Sequence, residues 1–364
     1  MNWVLIFLGF SALIILHEAG HFFAAKATGM RVEKFFLFFP PKLVSVKRGE
    51  TEYGIGAIPA GGFVKITGMN PDEELPPEIE ARGYYHQPVW KRIVVIGAGP
   101  LVNIVLAFAI LFGLFFHYGV TEADQTVGSV ESRSPATGLL KPGDEIVAID
   151  GMRHANLGTE ERLERFVDQV AGHRCRGRQV DGCLAADPVE LTVRRDGALQ
   201  DVTLRPQYDE AVDRTRIGIS YTTESIDLGA WASADRSLDA MWLVTSKTVT
   251  VFANIFDAEQ RRQLSGVVGV SDAANKTLDV STERSILLLA IVSLSLGLIN
   301  LFPFLPLDGG HIFWSLVEKA RGRPVPFSVM ERAGAIGFVL VIMLFFIGLS
   351  NDIGRLGGEG FEQR

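Results

Sequence analysis

The sequence predicts an α-helical polytopic membrane protein: four transmembrane helices, a membrane-associated β-hairpin and an inserted extracytoplasmic α+β domain. Three observations predict it. Hydrophobic residues make up 48% of the 364, phenylalanine alone contributes 24, and the mean hydropathy of +0.23 is high for a soluble enzyme. Four apolar blocks reach the length a bilayer demands, about 20 residues per helix. Between the second and third of them lies a long polar stretch of ordinary globular composition, enough for a domain of its own. These features divide the chain into residues 1–117 (two spans and the hairpin), 118–222 (the inserted domain), 223–284 (an amphipathic connection) and 285–364 (two spans and a tail). Charged residues are only 21%, the formal net charge is -7 and no basic stripe is present, which excludes a nucleic-acid surface.

The spans are expected near Asn2 to Ala25, Ile93 to Phe116, Ile286 to Pro306 and Ala333 to Leu349. The first lacks the basic start and small-residue cleavage site of a signal peptide, so it reads as a retained span. Lysine and arginine near the span ends set the orientation. Lys26, Arg31 and Lys34 follow the first span, Lys91 and Arg92 abut the second, and Lys319, Arg321, Arg323 and Arg332 separate the third from the fourth. Those two loops are therefore expected in the cytoplasm, with both termini and the Tyr118 to Arg284 segment outside.

After the first span, Phe35 to Pro41 is too short and too proline-rich to cross a membrane. Two strand-like runs follow, Leu43 to Lys47 and Glu52 to Gly56, joined by the turn signal Arg48-Gly49-Glu50-Thr51. Ile58 to Lys65 continues in the same glycine-rich, extended style. Such a hairpin is either an ordinary cytoplasmic ribbon or one that dips into the membrane, where non-helical backbone is tolerated only under cover of protein or a wet cavity. Met69 to Arg82 is an acidic, proline-bearing linker. The second span opens with Gly97-Ala98-Gly99-Pro100, small residues that permit close helix packing, and carries Asn103, which reads as an ordinary packing polar residue.

In the external segment, Val127 to Val130 reads as a strand and Ser134-Pro135-Ala136 as a turn. Leu139-Leu140-Lys141-Pro142-Gly143-Asp144 then leads into an alternating strand that ends at Asp150-Gly151. This pattern resembles a PDZ domain, with Thr159 to Ala171 as its helix and Val189 to Arg195 and Gln200 to Pro206 as its final hairpin. Such domains bind extended peptides at a sheet edge. Cys175 and Cys183, the only cysteines, fall in an insertion before that hairpin. An external location permits a disulfide between them, against the alternative of two free thiols. Leu238 to Phe256 is amphipathic, suited either to the membrane surface or to packing on the inserted domain.

The chemistry concentrates in His17-Glu18-Ala19-Gly20-His21, inside the first apolar block. On a helix, positions i and i+4 share a face, so both imidazoles can reach one point, and Glu18 can reach a water held there. Ionisable groups within a span mark function by default. The third block ends in Asn300-Leu301-Phe302-Pro303-Phe304-Leu305-Pro306-Leu307-Asp308-Gly309-Gly310-His311, where two prolines should break the helix. The expected orientation runs the first and third spans in the same direction, which brings Asp308 to a depth compatible with His17. A carboxylate there is the expected third metal ligand, since zinc hydrolases use three protein ligands and keep one position open. His311 fits a supporting or interfacial role better than a fourth ligand, and His86, His117 and His154 have no nearby partners in sequence.

The His-Glu-Ala-Gly-His helix, the Asn300-x-x-Pro303 and Leu307-Asp308-Gly309 motifs, the Gly99-Pro100-Leu101-Val102-Asn103 segment and the PDZ-like domain together resemble the site-2 protease family, most of all its bacterial branch with a single PDZ domain. The resemblance spans nearly the whole chain. It implies that His17, His21 and Asp308 hold Zn2+ and that Glu18 is the catalytic acid/base. Asn300 and Pro303 would engage the unwound substrate, and the hairpin carrying Gly54 and Gly56 would pair with it as an added strand. The implied activity is intramembrane endopeptidase cleavage of single-span membrane proteins, such as anti-sigma-factor-like proteins or signal-peptide remnants, after a first extracytoplasmic cut. The implied setting is the lipid bilayer of the cytoplasmic (inner) membrane, with the PDZ-like domain controlling access. Two departures stand out: Ser265-Gly266-Val267-Val268-Gly269-Val270 has valine where many relatives place proline, and the cysteine-bearing insertion can alter the peptide groove. The competing readings are a non-enzymatic PDZ-bearing membrane scaffold and a metal transporter. The second wants further ionisable residues in the spans, and the second and fourth spans lack them.

Overall fold

All four apolar blocks are helical, but their bounds differ from those that hydropathy suggests, for local reasons. The computed structural model describes residues 2–70, 73–154, 157–210, 212–254, 269 and 282–357. Helix α1 (Asn2–Ala27) has no proline and closes with Lys26 in its last turn, next to Gly29 at φ +84°. A four-residue turn, α2 (Pro77–Glu80), precedes α3 (Val89–Tyr118), which carries Pro100 in its interior and takes Lys91 and Arg92 into its first turns. After α4 (Thr159–Gly172) and α5 (Ala230–Ala253), α6 covers Thr282–Asn300, α7 Asp308–Arg321 and α8 Phe327–Gly357. Helices α1, α3, α6 and α8 each contain a stretch long and apolar enough to cross a membrane.

The third block is the instructive correction. Its helix stops at Asn300, not at Pro306. Pro303 has no N–H to give a helix and its ring clashes with the preceding turn, so the residues before it leave the helical region. Asp308 therefore opens a new helix. The fourth helix runs well beyond Ala333 to Leu349, because nothing between Phe327 and Gly357 breaks it.

By contact the chain falls into two compact units, one of residues 117–228 and one of the remainder. In the larger unit, β1 (Val32–Arg48) and β2 (Thr51–Ile66) are each bent into two runs. The hairpin is thus longer than predicted, and Phe35 to Pro41 belongs to β1. Residues 42–48 pair with 51–56 across the turn at Gly49, while residues 32–39 lie between 51–56 and 58–66, so that Phe36 faces Gly54 on one side and Phe63 on the other. Residues 42–48 and 58–66 are accordingly the outer runs. Ala25 of α1, Met30, Val32, Ile66, Tyr84 and Val95 of α3 form a buried core beneath this sheet. Helix α5 leaves Trp231, Leu238 and Trp242 exposed, at helical spacing along one face.

The smaller unit holds a five-stranded sheet in the order β6 (Ala198–Leu204), β5 (Val189–Arg195), β4 (Glu145–Ile149), β3 (Val120–Val130) and β9 (Ile219–Ile226). Phe166 and Val170 of α4 pack on Val127, Ile146, Ile149 and Leu191 from the sheet. The β5–β6 hairpin is not the last element, as the sequence suggested. A short pair, β7 (Gln207–Asp209) and β8 (Arg214–Arg216), follows it, and β9 then returns to pair with β3. The unit consequently extends to Leu228 rather than residue 222. The Ser265 to Val270 motif, Gly269 apart, lies outside the described residues.

Candidate metal centre

His17 and His21 sit one turn apart on α1, both almost fully buried, with their Nε2 atoms 3.2 Å apart. Asp308, the first residue of α7, places Oδ2 3.1 Å from His17 Nε2 and 3.3 Å from His21 Nε2. That oxygen is buried and has no hydrogen-bond partner among the described residues. Three donor atoms that converge in this way offer a cation three ligands. Zinc bonds of about 2.0–2.1 Å in a tetrahedron separate neighbouring donors by about 3.3 Å, close to the spacing observed. The donor set, two neutral imidazoles and a carboxylate, is one that zinc takes when a fourth position is kept for water. The residues fit the metal.

Three features of the backbone hold these side chains. The first is α3. His21 Nδ1 donates to the Val95 carbonyl at 2.9 Å, which fixes the ring and leaves Nε2 for a metal. A Cβ on Gly99 would lie 2.2 Å from His21 Nε2, and one on Gly20 would lie 2.6 Å from the Ala98 carbonyl oxygen. The small residues of the second span therefore make room for a ligand as well as for helix packing. One turn beyond Gly99, the amide of Asn103, wholly buried, comes within 3.4 Å of His17 Nδ1. Sequence reading passed over Asn103 as packing. The signal available was a carboxamide one turn from Gly99 in an otherwise apolar helix.

The second is the 301–307 turn that leads into Asp308. A Cβ on Gly309 would lie 2.1 Å from the Leu301 carbonyl oxygen, and one on Gly310 2.5 Å from the Leu305 nitrogen. On the other side, Gly337 of α8 meets the Leu305 carbonyl so closely that a Cβ would lie 1.7 Å from it. The turn is clamped between two glycine surfaces, and its position sets that of Asp308. A bidentate pair, Arg92 to Glu318 at 2.5 and 3.0 Å, joins α3 to α7 with the guanidinium buried. Phe252 of α5 lies against Phe302 of the turn, ring centroids 4.3 Å apart.

The third is the sheet. Glu18 is half-buried. A Cβ on Gly62 would lie 2.8 Å from Glu18 Cγ. The run beside the Glu18 carboxylate is thus 58–66. Gly54 and Gly56 are elsewhere: a Cβ on Gly54 would meet the Phe36 ring at 2.5 Å, one on Gly56 the Phe39 carbonyl oxygen at 2.2 Å. Their run is separated from the 58–66 run by residues 32–39, so the structure does not bring them to the ligand cluster. Asn300 ends α6, half-buried, and Pro303 is exposed in the following turn. His86 pairs with Glu80 at 3.2 Å, away from the cluster. In the smaller unit Cys175 and Cys183 form a disulfide, Cα atoms 6.2 Å apart.

Comparison with known proteins agrees with this geometry. The model of the family described as Peptidase family M50 matches residues 5–344. A protein of Brucella suis named as a candidate zinc metalloprotease is 30% identical over 94% of this chain and 92% of its own length. One from Clostridium perfringens with the same kind of name is 31% identical over 95% of this chain and 96% of its own. Among solved structures, the PDZ domain of an SdrC-like protein from Listeria innocua is similar at 20% identity over 28% of this chain and 93% of that one, with a TM-score of 0.21. With the family match and the relatives in agreement, the chain belongs to peptidase family M50, the zinc metalloproteases of the site-2 protease type.

Proposed function

We propose that this zinc metalloprotease is an intramembrane endopeptidase that cuts the transmembrane segments of single-span membrane proteins, after a first cut has removed most of their external part. One observation carries the reading. His17, His21 and Glu18 are carried by α1, a helix apolar enough to lie within a bilayer, and Asp308 is brought to them by the turn that follows another such helix, α6, so the bond they reach lies there too.

Zinc, when bound, lowers the pKa of a water it holds to about 7 and polarises a carbonyl brought against it. His17, His21 and Asp308 would hold the metal. Glu18, adjacent to His17, takes the proton of the attacking water and returns it to the leaving amide nitrogen. The Asn300 amide, at the broken end of α6, supplies a donor to the developing oxyanion. A helical substrate shields its amides, so it must unwind before it is cut. The outer run 58–66, whose far edge has no strand partner among the described residues, lies beside Glu18, and the unwound segment adds to it as a strand. That edge takes the role the sequence assigned to the hairpin of Gly54 and Gly56.

The orientation follows from charge. The basic residues around the β-sheet and between α7 and α8 face the cytoplasm, and the disulfide-bearing unit of residues 117–228, PDZ-like by its sequence, lies in the oxidising space outside. It screens substrates by bulk. The exposed face of α5 with Trp231, Leu238 and Trp242 rests at the outer membrane–water boundary. Co-expression with candidate single-span proteins tests the proposal. Truncated substrates should accumulate with Glu18→Gln and disappear with the wild type. Equal processing by both would refute it.

A further inference from the structure

Asn103 has no part in the reaction just described, yet its placement is costly. It is wholly buried on α3, and its backbone carbonyl accepts from Ser293 Oγ of α6 at 2.9 Å. Its Oδ1 has no partner among the described residues, and the other end of the amide faces His17 Nδ1 at 3.4 Å. Leucine or alanine would avoid the desolvation of a carboxamide at this position.

The reason lies in the imidazole. A neutral histidine that presents Nε2 to a metal carries its proton on Nδ1, and that proton seeks an acceptor. His21 has one, the Val95 carbonyl. His17 presents the same Nε2 to the cluster, and its Nδ1 faces Asn103. The two ends of a carboxamide are nearly identical in shape, so a half-turn about Cβ–Cγ exchanges them at no steric cost. With the nitrogen towards His17, Nδ1 would have to accept, Nε2 would hold the proton, and metal binding would be blocked. With the oxygen towards His17, Nδ1 donates and Nε2 is free.

We infer that Asn103 is a positioning residue for His17, its carboxamide oxygen accepting the Nδ1 proton of the zinc-binding tautomer. Val95, Gly99 and Asn103, successive turns of α3, then form one stripe. Val95 holds the His21 ring, Gly99 makes room for it, and Asn103 holds the His17 ring. The inference rests on the proposed ligand set, and the experiment separates the two.

Zinc affinity of the purified full-length protein in detergent is measured by competition with a chelator, for the wild type, His17→Ala, Asn103→Leu and Asn103→Asp. His17→Ala should lose the metal. Asn103→Leu should bind it about 10–100-fold more weakly, whereas Asn103→Asp, which keeps an acceptor oxygen, should stay within a few-fold of the wild type. Wild-type affinity in Asn103→Leu, with His17→Ala metal-free, would overturn the role of Asn103 alone. Zinc retained by His17→Ala would overturn the ligand set. If the leucine variant does not fold, the nitrogen-15 spectrum of labelled histidine in the zinc-loaded wild type decides: His17 bound through Nε2 with a proton on Nδ1 supports the inference, and any other state of His17 refutes it.

Discussion

At the scale of single residues, the centre depends on atoms that are missing as much as on those present. His17, His21 and Asp308 were legible in the sequence as a metal-binding group, because each has a chemistry and a spacing that few other roles require. The glycines were legible only as small residues. Gly99 sits where a methyl group would collide with the His21 ring. Gly99→Ala should therefore displace that ring and weaken zinc binding by about 10–100-fold, while far-ultraviolet circular dichroism stays unchanged. Metal analysis beside the wild type checks this. Asn103 was not legible, because its meaning depends on a ring contributed from another helix. The same limit applies to Arg92, which counts as a cytoplasmic positive charge in the sequence and is in fact buried against Glu318, 226 positions away.

At the scale of elements, the sequence located the four apolar helices but misjudged where the third one ends, and it did not predict α7. Hydropathy carries on through Phe302 to Pro306, whereas the helix obeys Pro303 and stops at Asn300. The consequence is useful, since Asp308 gains a helix start of its own, clamped by Gly309, Gly310 and Gly337. The hairpin was found, but its strand order was not. Which run flanks Glu18 follows from the way residues 32–39 insert between 51–56 and 58–66, a register set by packing on α1. The turn of that sheet is anchored by Glu50. The Arg82 guanidinium, at 2.8 and 2.9 Å, and the Lys26 ammonium hold its carboxyl down at about 2. Because the folded value lies below the ordinary 4.5, this anchor stabilises fully above that pH and is lost as the pH falls towards 2. Glu50→Gln should flatten the decline in thermal stability across that interval, as followed by unfolding scans. In the smaller unit, the buried Asp144 carboxylate takes both Arg195 Nε and Nη2, at 2.7 and 2.6 Å. Arg195→Ala leaves that charge without its partner, and should lower the midpoint of the unit's unfolding in denaturant titrations.

At the scale of the whole molecule, the metal ligands cluster at one centre among apolar helices, and the disulfide lies in a separate unit. The proposed external location of that unit yields a topological prediction. In intact cells, Cys175 and Cys183 should resist a thiol reagent until they are reduced, then react from outside; ready labelling without reductant would place that unit in the cytoplasm. Asp308 brings the C-terminal half of the chain to the histidines of α1, and its part in the metal site is the central claim. The direct measurement is zinc stoichiometry of the purified protein, wild type against Asp308→Ala. The wild type should hold one zinc per chain and the variant should lose most of it while remaining folded. Stoichiometric zinc in the variant would contradict the account.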